Sequence, residues 1–248
     1  MSPQTAFDLF VLLAAPAVGS FLALLADRVP RGEPVGMARS ACRGCGRALS
    51  PRDLVPVLSF AAARGRCRHC GAAIPPWLLY TEIAATWLAV LAVIAGTGLG
   101  QTGLIALILW TLLGLVATDL LWFRLPDVFT IALLALALVW AALWGHGAPL
   151  ALVGAGLGAG AFCLIRLGYR ALRGREGLGL GDVKLMAGLG ALAGPWDLPL
   201  TVLLAASAAL AVAALQRLGR ADALDGARAL PFGAALAGAG GALWLAAM

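Results

Sequence analysis

The chain has 248 residues, 62% of them hydrophobic and only 12% charged, with a mean hydropathy of +0.94. That composition excludes an ordinary soluble domain, and recurring apolar segments of about 20 residues point to helices that cross a bilayer. Little period-2 alternation argues against a membrane barrel, and the net charge of +6 is explained by topology rather than by a nucleic-acid partner.

In chain order, spans are predicted at residues 7–26, 77–95, 102–120, 127–144, 148–167, 183–194, 198–215 and 230–247, the sixth being short and glycine-rich. The expected fold is all-α and polytopic, with about eight transmembrane helices. Its parts are a first transmembrane helix (1–26), a cysteine-bearing insert (27–76) and a multi-helix membrane core (77–248). Asp8 stands where a secretory signal carries Lys or Arg, so the first helix reads as a retained span.

The insert holds two C-x-x-C pairs, Cys42/Cys45 and Cys67/Cys70, each followed by glycine, at Gly46 and Gly71. Four thiolates at this spacing suit a closed, tetrahedral structural zinc. His69 lies inside the second pair and is not expected as a ligand, and Cys163 reads as a buried apolar residue.

All 18 Lys and Arg residues fall in four regions: the insert, Arg124, the stretch from Arg166 to Lys184, and the stretch from Arg217 to Arg228. With eight spans these regions lie on one side, which the positive-inside rule makes cytoplasmic. Both termini then face the other side. Asp119, Asp127 and Asp182 come near the cytoplasmic surface, and Glu82 reads as a helix-interface group.

The chemistry narrows to those acids. The two histidines, His69 and His146, give poor support to a Ser–His or Cys–His arrangement, and no phosphate-binding P-loop is present. A carboxylate entering a membrane helix costs roughly 2.5–3.5 kcal/mol, so Asp182 in Gly179-Leu180-Gly181-Asp182-Val183-Lys184 points to use. The two glycines clear an approach for an extended peptide; the plain alternative is that Asp182 caps the next helix. Two approaching carboxyls can share one proton and hydrolyse an amide as general acid and general base. Asp182 supplies one, and Asp119 or Asp127 the other. Asp127 follows Pro126 at a helix start, where an acid is ordinary. Asp119 sits in the last turn of an apolar helix, where the macrodipole disfavours it, and is favoured for that reason.

At these residues the sequence resembles the type IV prepilin peptidases, the bifunctional leader peptidase/N-methyltransferases. The matching segments run in order: Gly19-Ser20-Phe21-Leu22 with Asp27-Arg28-Val29-Pro30; Pro56-Val57-Leu58-Ser59 with Arg64 to Gly71; Asp119 with Leu125-Pro126-Asp127; Gly179 to Met186; and Pro231-Phe232-Gly233. The resemblance implies a catalytic pair of Asp119 and Asp182, with Gly179, Gly181 and Lys184 binding substrate or supporting the site. It implies cleavage of the basic leader of type IV prepilins or type II secretion pseudopilins after a glycine, at the cytoplasmic side of the bacterial inner membrane. N-methylation with S-adenosylmethionine then follows. Glu33, Asp53, Glu176, Asp222 or Asp225 are candidates for leader contact. Leu121 and Trp122 depart from the polar residues frequent in the family's first catalytic segment. The competing readings are a peptidase without methyltransferase activity, a transporter whose acids carry ions, and a non-enzymatic assembly factor docking through its zinc insert.

Overall fold

The computed structural model describes residues 1–36, 39–175, 177–218 and 230–248. Among these the chain forms α1 (Pro3–Arg28), α2 (Leu58–Ala62), α3 (Pro76–Ala95), α4 (Leu99–Trp122), α5 (Asp127–Leu143), α6 (Ala148–Arg173), α7 (Leu180–Ala193), α8 (Leu198–Leu218) and α9 (Phe232–Ala246). Extended pairing among the described residues is limited to single antiparallel bridges, Ala41 with Ala48 and Arg66 with Ala73. The expected all-α membrane architecture is present. Among the described residues, five helical segments are long and apolar enough to cross a membrane: Pro3–Arg31, Pro76–Ala95, Leu99–Trp122, Ala148–Arg173 and Leu198–Leu215. Asp127–Leu143 and Phe232–Ala246 are apolar but shorter.

The chain divides into two compact units, Met1–Gly114 and Leu115–Met248. In the first, α1 lies along α3. Gly19 sets their closest approach, since a Cβ there would stand 2.6 Å from Glu82 Cα and 2.9 Å from Ala85 Cβ. Small residues at such a contact let the backbones meet, which is how helices associate where lipid removes the hydrophobic drive. The first part of α4 joins this unit through Trp110, whose indole N–H donates to the Ala85 carbonyl at 3.0 Å. Glu82 is buried beside Gly19, and its carboxylate accepts the backbone N–H of Val57 at 2.7 Å. Val57 has φ 61°, and the Leu58 N–H donates to the Pro56 carbonyl at 2.6 Å, forming a γ-turn that strains a β-branched residue. Glu82 is therefore an interface group, as expected, and also the partner that holds the insert's strained turn to α3.

In the second unit α7 is surrounded. It packs against α6, α5 and α9, and Leu185, Met186, Leu189 and Leu192 are all buried. Its 14 residues rise about 21 Å, short of the roughly 30 Å hydrocarbon core. The predicted sixth span is thus the interior helix of its unit. The α6–α7 contact rests on Gly154 and Gly190, where a Cβ on either would run into the carbonyl of the other. Leu133 of α5 fills the space beside Gly188, and Trp140 meets Trp244 of α9 edge-on, ring centroids 5.1 Å apart.

Candidate functional site

The second unit gathers the ends of three helices around Asp119. α4 carries Asp119 in its last turns and ends through Phe123, which takes φ 52° while its N–H donates to the Asp119 carbonyl at 2.9 Å. A non-glycine residue at that angle is strained, as residues beside functional sites often are. Asp119 is only 6% exposed. Its Oδ2 accepts the N–H of Ala234 at 2.7 Å, and Gly233 donates to the same carboxylate. Both donors lie in the first turn of α9, where backbone N–H groups have no helical acceptor and favour an anion. A Cβ on Gly233 would stand 3.2 Å from Asp119 Cγ and 2.8 Å from Leu125 Cδ1, so glycine is what lets the carboxylate reach the helix end.

Asp182 lies in the first turn of α7, half-buried. Its Oδ2 accepts the N–H of Gly179 at 3.2 Å. The capping role weighed from sequence is therefore real. It does not exclude a second role, because Asp119 is close enough for its charge to act on Asp182. Leu125 lies against the glycines beside both acids. Its Cβ would be 2.9 Å from a Cβ on Gly181, and its Cδ1 touches the space at Gly233. Gly181 thus opens onto Leu125 rather than onto free space. Sequence reasoning missed the roles of Leu125, Gly233 and Ala234. The segments Leu125-Pro126-Asp127 and Pro231-Phe232-Gly233 carried the signal, but nothing in them says that they converge on Asp119.

Asp127 opens α5 and forms an ion pair with Lys184 of α7, Nζ to Oδ1 2.6 Å, both side chains well exposed. Lys184 is directed at that partner, and Asp127 serves a helix start and a surface pair. Of the acids considered for leader contact, Glu176, Asp222 and Asp225 lie outside the described residues. Asp53 is held below the ordinary carboxylate range by the Ser50 hydroxyl and backbone N–H, and it pairs with Arg68 at 3.1 Å. Glu33 pairs with Arg31 at 3.1 Å.

The first unit holds the other cluster. The sulfurs of Cys42, Cys45, Cys67 and Cys70 all lie within 4.8 Å of one another. They are gathered by two matching turns. Cys42 N–H donates to the Arg47 carbonyl and Cys67 N–H to that of Ala72; Gly46 and Gly71 donate back to Cys42 and Cys67. Gly46 and Gly71 have φ 70° and 71°, the left-handed angle that closes each turn and that side chains resist. The Cys42 and Cys70 sulfurs are 3.7 Å apart. Thiolates about 2.3 Å from a tetrahedral zinc stand roughly 3.8 Å apart, so the donor set fits that ion. Backbone N–H groups of Cys45 and Gly44 lower the Cys42 thiol to about 6. For Cys70 the Ala72 N–H lowers it, but desolvation and the three other thiols outweigh that and push it up to about 11. Four sulfurs this close need a cation to be thiolates together.

Two family models match the chain in order: the bacterial peptidase A24 N-terminal domain over residues 13–95 and the type IV leader peptidase family over residues 105–214. A prepilin leader peptidase/N-methyltransferase of Pseudomonas aeruginosa is 33% identical over 99% of this chain and 91% of its own length. Proteins of the same name from Klebsiella pneumoniae and Burkholderia pseudomallei are each 36% identical, over 81% and 75% of this chain. The match spans 91% of the Klebsiella protein but 60% of the Burkholderia protein. No solved structure matches the chain significantly.

Proposed function

The chain belongs to the type IV leader peptidase family, and on that premise we propose that it is a membrane aspartic endopeptidase. It removes the basic leader of type IV prepilins or type II secretion pseudopilins after a glycine, then methylates the new N-terminal amine. The observation that carries the peptidase reading is the convergence on Leu125 of Gly181, which precedes Asp182 on α7, and Gly233 of α9, which lies against Asp119; it brings the two acids near enough for their charges to interact.

The pair holds one proton between them. The ionised carboxyl takes a proton from water as the water oxygen attacks the scissile carbonyl carbon. The protonated carboxyl stabilises the developing oxyanion, and a proton passes to the leaving nitrogen as the C–N bond breaks. No covalent intermediate forms. The α9 N-terminus fixes Asp119, and the Gly179 N–H fixes Asp182. Gly179, Gly181 and Lys184 support the site, the last through Asp127. Leu125 lies against both Gly181 and Gly233, so the scissile segment reaches the acids past its side chain.

Cys42, Cys45, Cys67 and Cys70 would hold a structural zinc, which would stabilise the insert rather than take part in the cleavage. S-adenosylmethionine supplies the methyl group. The insert forms one part of the protein, residues 27–76, between the first span and the peptidase core. The insert and both acids face the cytoplasm from the inner membrane, a reading supported by the distribution of Lys and Arg along the sequence.

The test is reconstitution in liposomes with a full-length prepilin, with and without S-adenosylmethionine, and mass spectrometry of the product. The expected product lacks its leader and carries one added methyl only when the donor is present. An uncut prepilin contradicts the peptidase reading; a cut, unmethylated product leaves a leader peptidase alone.

A further inference from the structure

Asp182 is held by more than its own helix. The Gly179 N–H that it accepts belongs to the same peptide group as the Leu178 carbonyl. That carbonyl accepts the Arg166 guanidinium, Nη1 to O 2.7 Å. One rigid plane therefore has its oxygen on a cation of α6 and its N–H on a carboxylate of α7. If the plane turns away from Arg166, the N–H leaves Asp182. The guanidinium also polarises the amide, which strengthens donation from the opposite end.

A second contact seats the same loop. A Cβ on Gly177 would stand 2.6 Å from Tyr169 Cδ1 and Cε1, so the loop lies flat on that ring. Arg166 and Tyr169 are three residues apart on α6 and share a face.

We propose that Arg166 is a positioning residue for Asp182, acting through the Leu178–Gly179 peptide, with Tyr169 as the seat of the loop. The proposal rests on the peptidase reading given above. The other charged groups at Asp182 are Asp119 from α4 and, two residues along α7, Lys184, which Asp127 of α5 engages.

Prepilin cleavage by the full chain in liposomes tests it, using Arg166→Met, Arg166→Lys and Gly177→Ala beside wild type and Asp182→Asn. Arg166→Met lowers kcat on the order of 10–100-fold, the scale of a small misplacement of a reacting group. KM stays within about twofold, because the lost contact acts on the reacting group rather than on substrate binding. Its pH–rate profile moves to higher pH, since a weakened N–H donor supports the carboxylate less. Arg166→Lys, which keeps a cation with fewer donors, recovers part of the loss. Gly177→Ala lifts the loop from Tyr169 and reproduces the kcat loss with the cation intact. Wild-type kcat and an unmoved pH profile in Arg166→Met overturn the proposal. If that variant does not fold, wild-type kcat in Gly177→Ala overturns it. If wild type cuts nothing, or Asp182→Asn cuts normally, the peptidase reading falls and the proposal with it.

Discussion

The two compact units gather their polar groups by opposite means. The cysteine cluster of the first is assembled by short-range backbone turns, each pair three residues apart and closed by a left-handed glycine. The two acids of the second come from distant segments, Asp119 on α4 and Asp182 on α7, with α9 supplying backbone donors to Asp119 from a third place in the chain. A local device leaves its mark in sequence spacing, and a packed device does not. The first unit also carries its strain locally, at Val57, under a buried carboxylate. The second carries its strain at Phe123, directly after α4, and both units use glycines for close helix contact, Gly19 in the first and Gly154 with Gly190 in the second.

The sharpest way to separate the two is Cys67→Ser. Structural zinc contributes apparent binding free energies of about 10–16 kcal/mol in small sites, so loss of one of four ligands abolishes stoichiometric metal. Metal analysis should then read near zero, with the helical circular-dichroism signal retained because the long helices lie outside the turns. Gly190→Leu reverses the pattern. The added side chain runs into the Gly154 backbone, a misfit costing about 3 kcal/mol or more. Cleavage and thermal stability should collapse while bound zinc per chain stays unchanged, and a loss of zinc there would erase the distinction between the units.

A smaller effect is expected at Glu82→Leu, which leaves the Val57 N–H without its acceptor. An unpaired donor costs about 1–3 kcal/mol when fully buried and less at this half-buried site, and hydrogen exchange at residues 57–60 should rise more than exchange in α7. The least effect belongs to Lys184→Met. Its partner is exposed, and surface pairs contribute about 0–1 kcal/mol. A melting point within a few degrees of wild type and substantial cleavage are expected; complete inactivity would give Lys184 a role beyond its pair with Asp127.

Much of this is legible in the sequence. Hydropathy marks the helices because lipid demands long apolar runs, and the C-x-x-C spacing marks the thiol cluster because a turn can bring its sulfurs together. Asp119 and Asp182 stand out as acids in apolar surroundings. What the sequence conceals is convergence. Leu125 is marked only as part of the segment Leu125-Pro126-Asp127, yet it lies against both Gly181 and Gly233. Gly181 reads as an open approach, yet its space is taken by a neighbour from another segment. α7 reads as a short span, yet its glycines and leucines face α5, α6 and α9. Each depends on which helix lies beside which, and no local pattern encodes that.

The account turns on which two acids form the pair. Cleavage of a prepilin in liposomes, compared among Asp119→Asn, Asp127→Asn and Asp182→Asn, tests it most directly. The geometry predicts that the first and third lose cleavage by at least the roughly 10²–10⁴-fold that a positioned acid or base supplies. Asp127→Asn, which alters only an exposed ion pair, should keep most of its rate. An inactive Asp127→Asn beside an active Asp119→Asn would contradict the pairing of α4 with α7 as the catalytic arrangement.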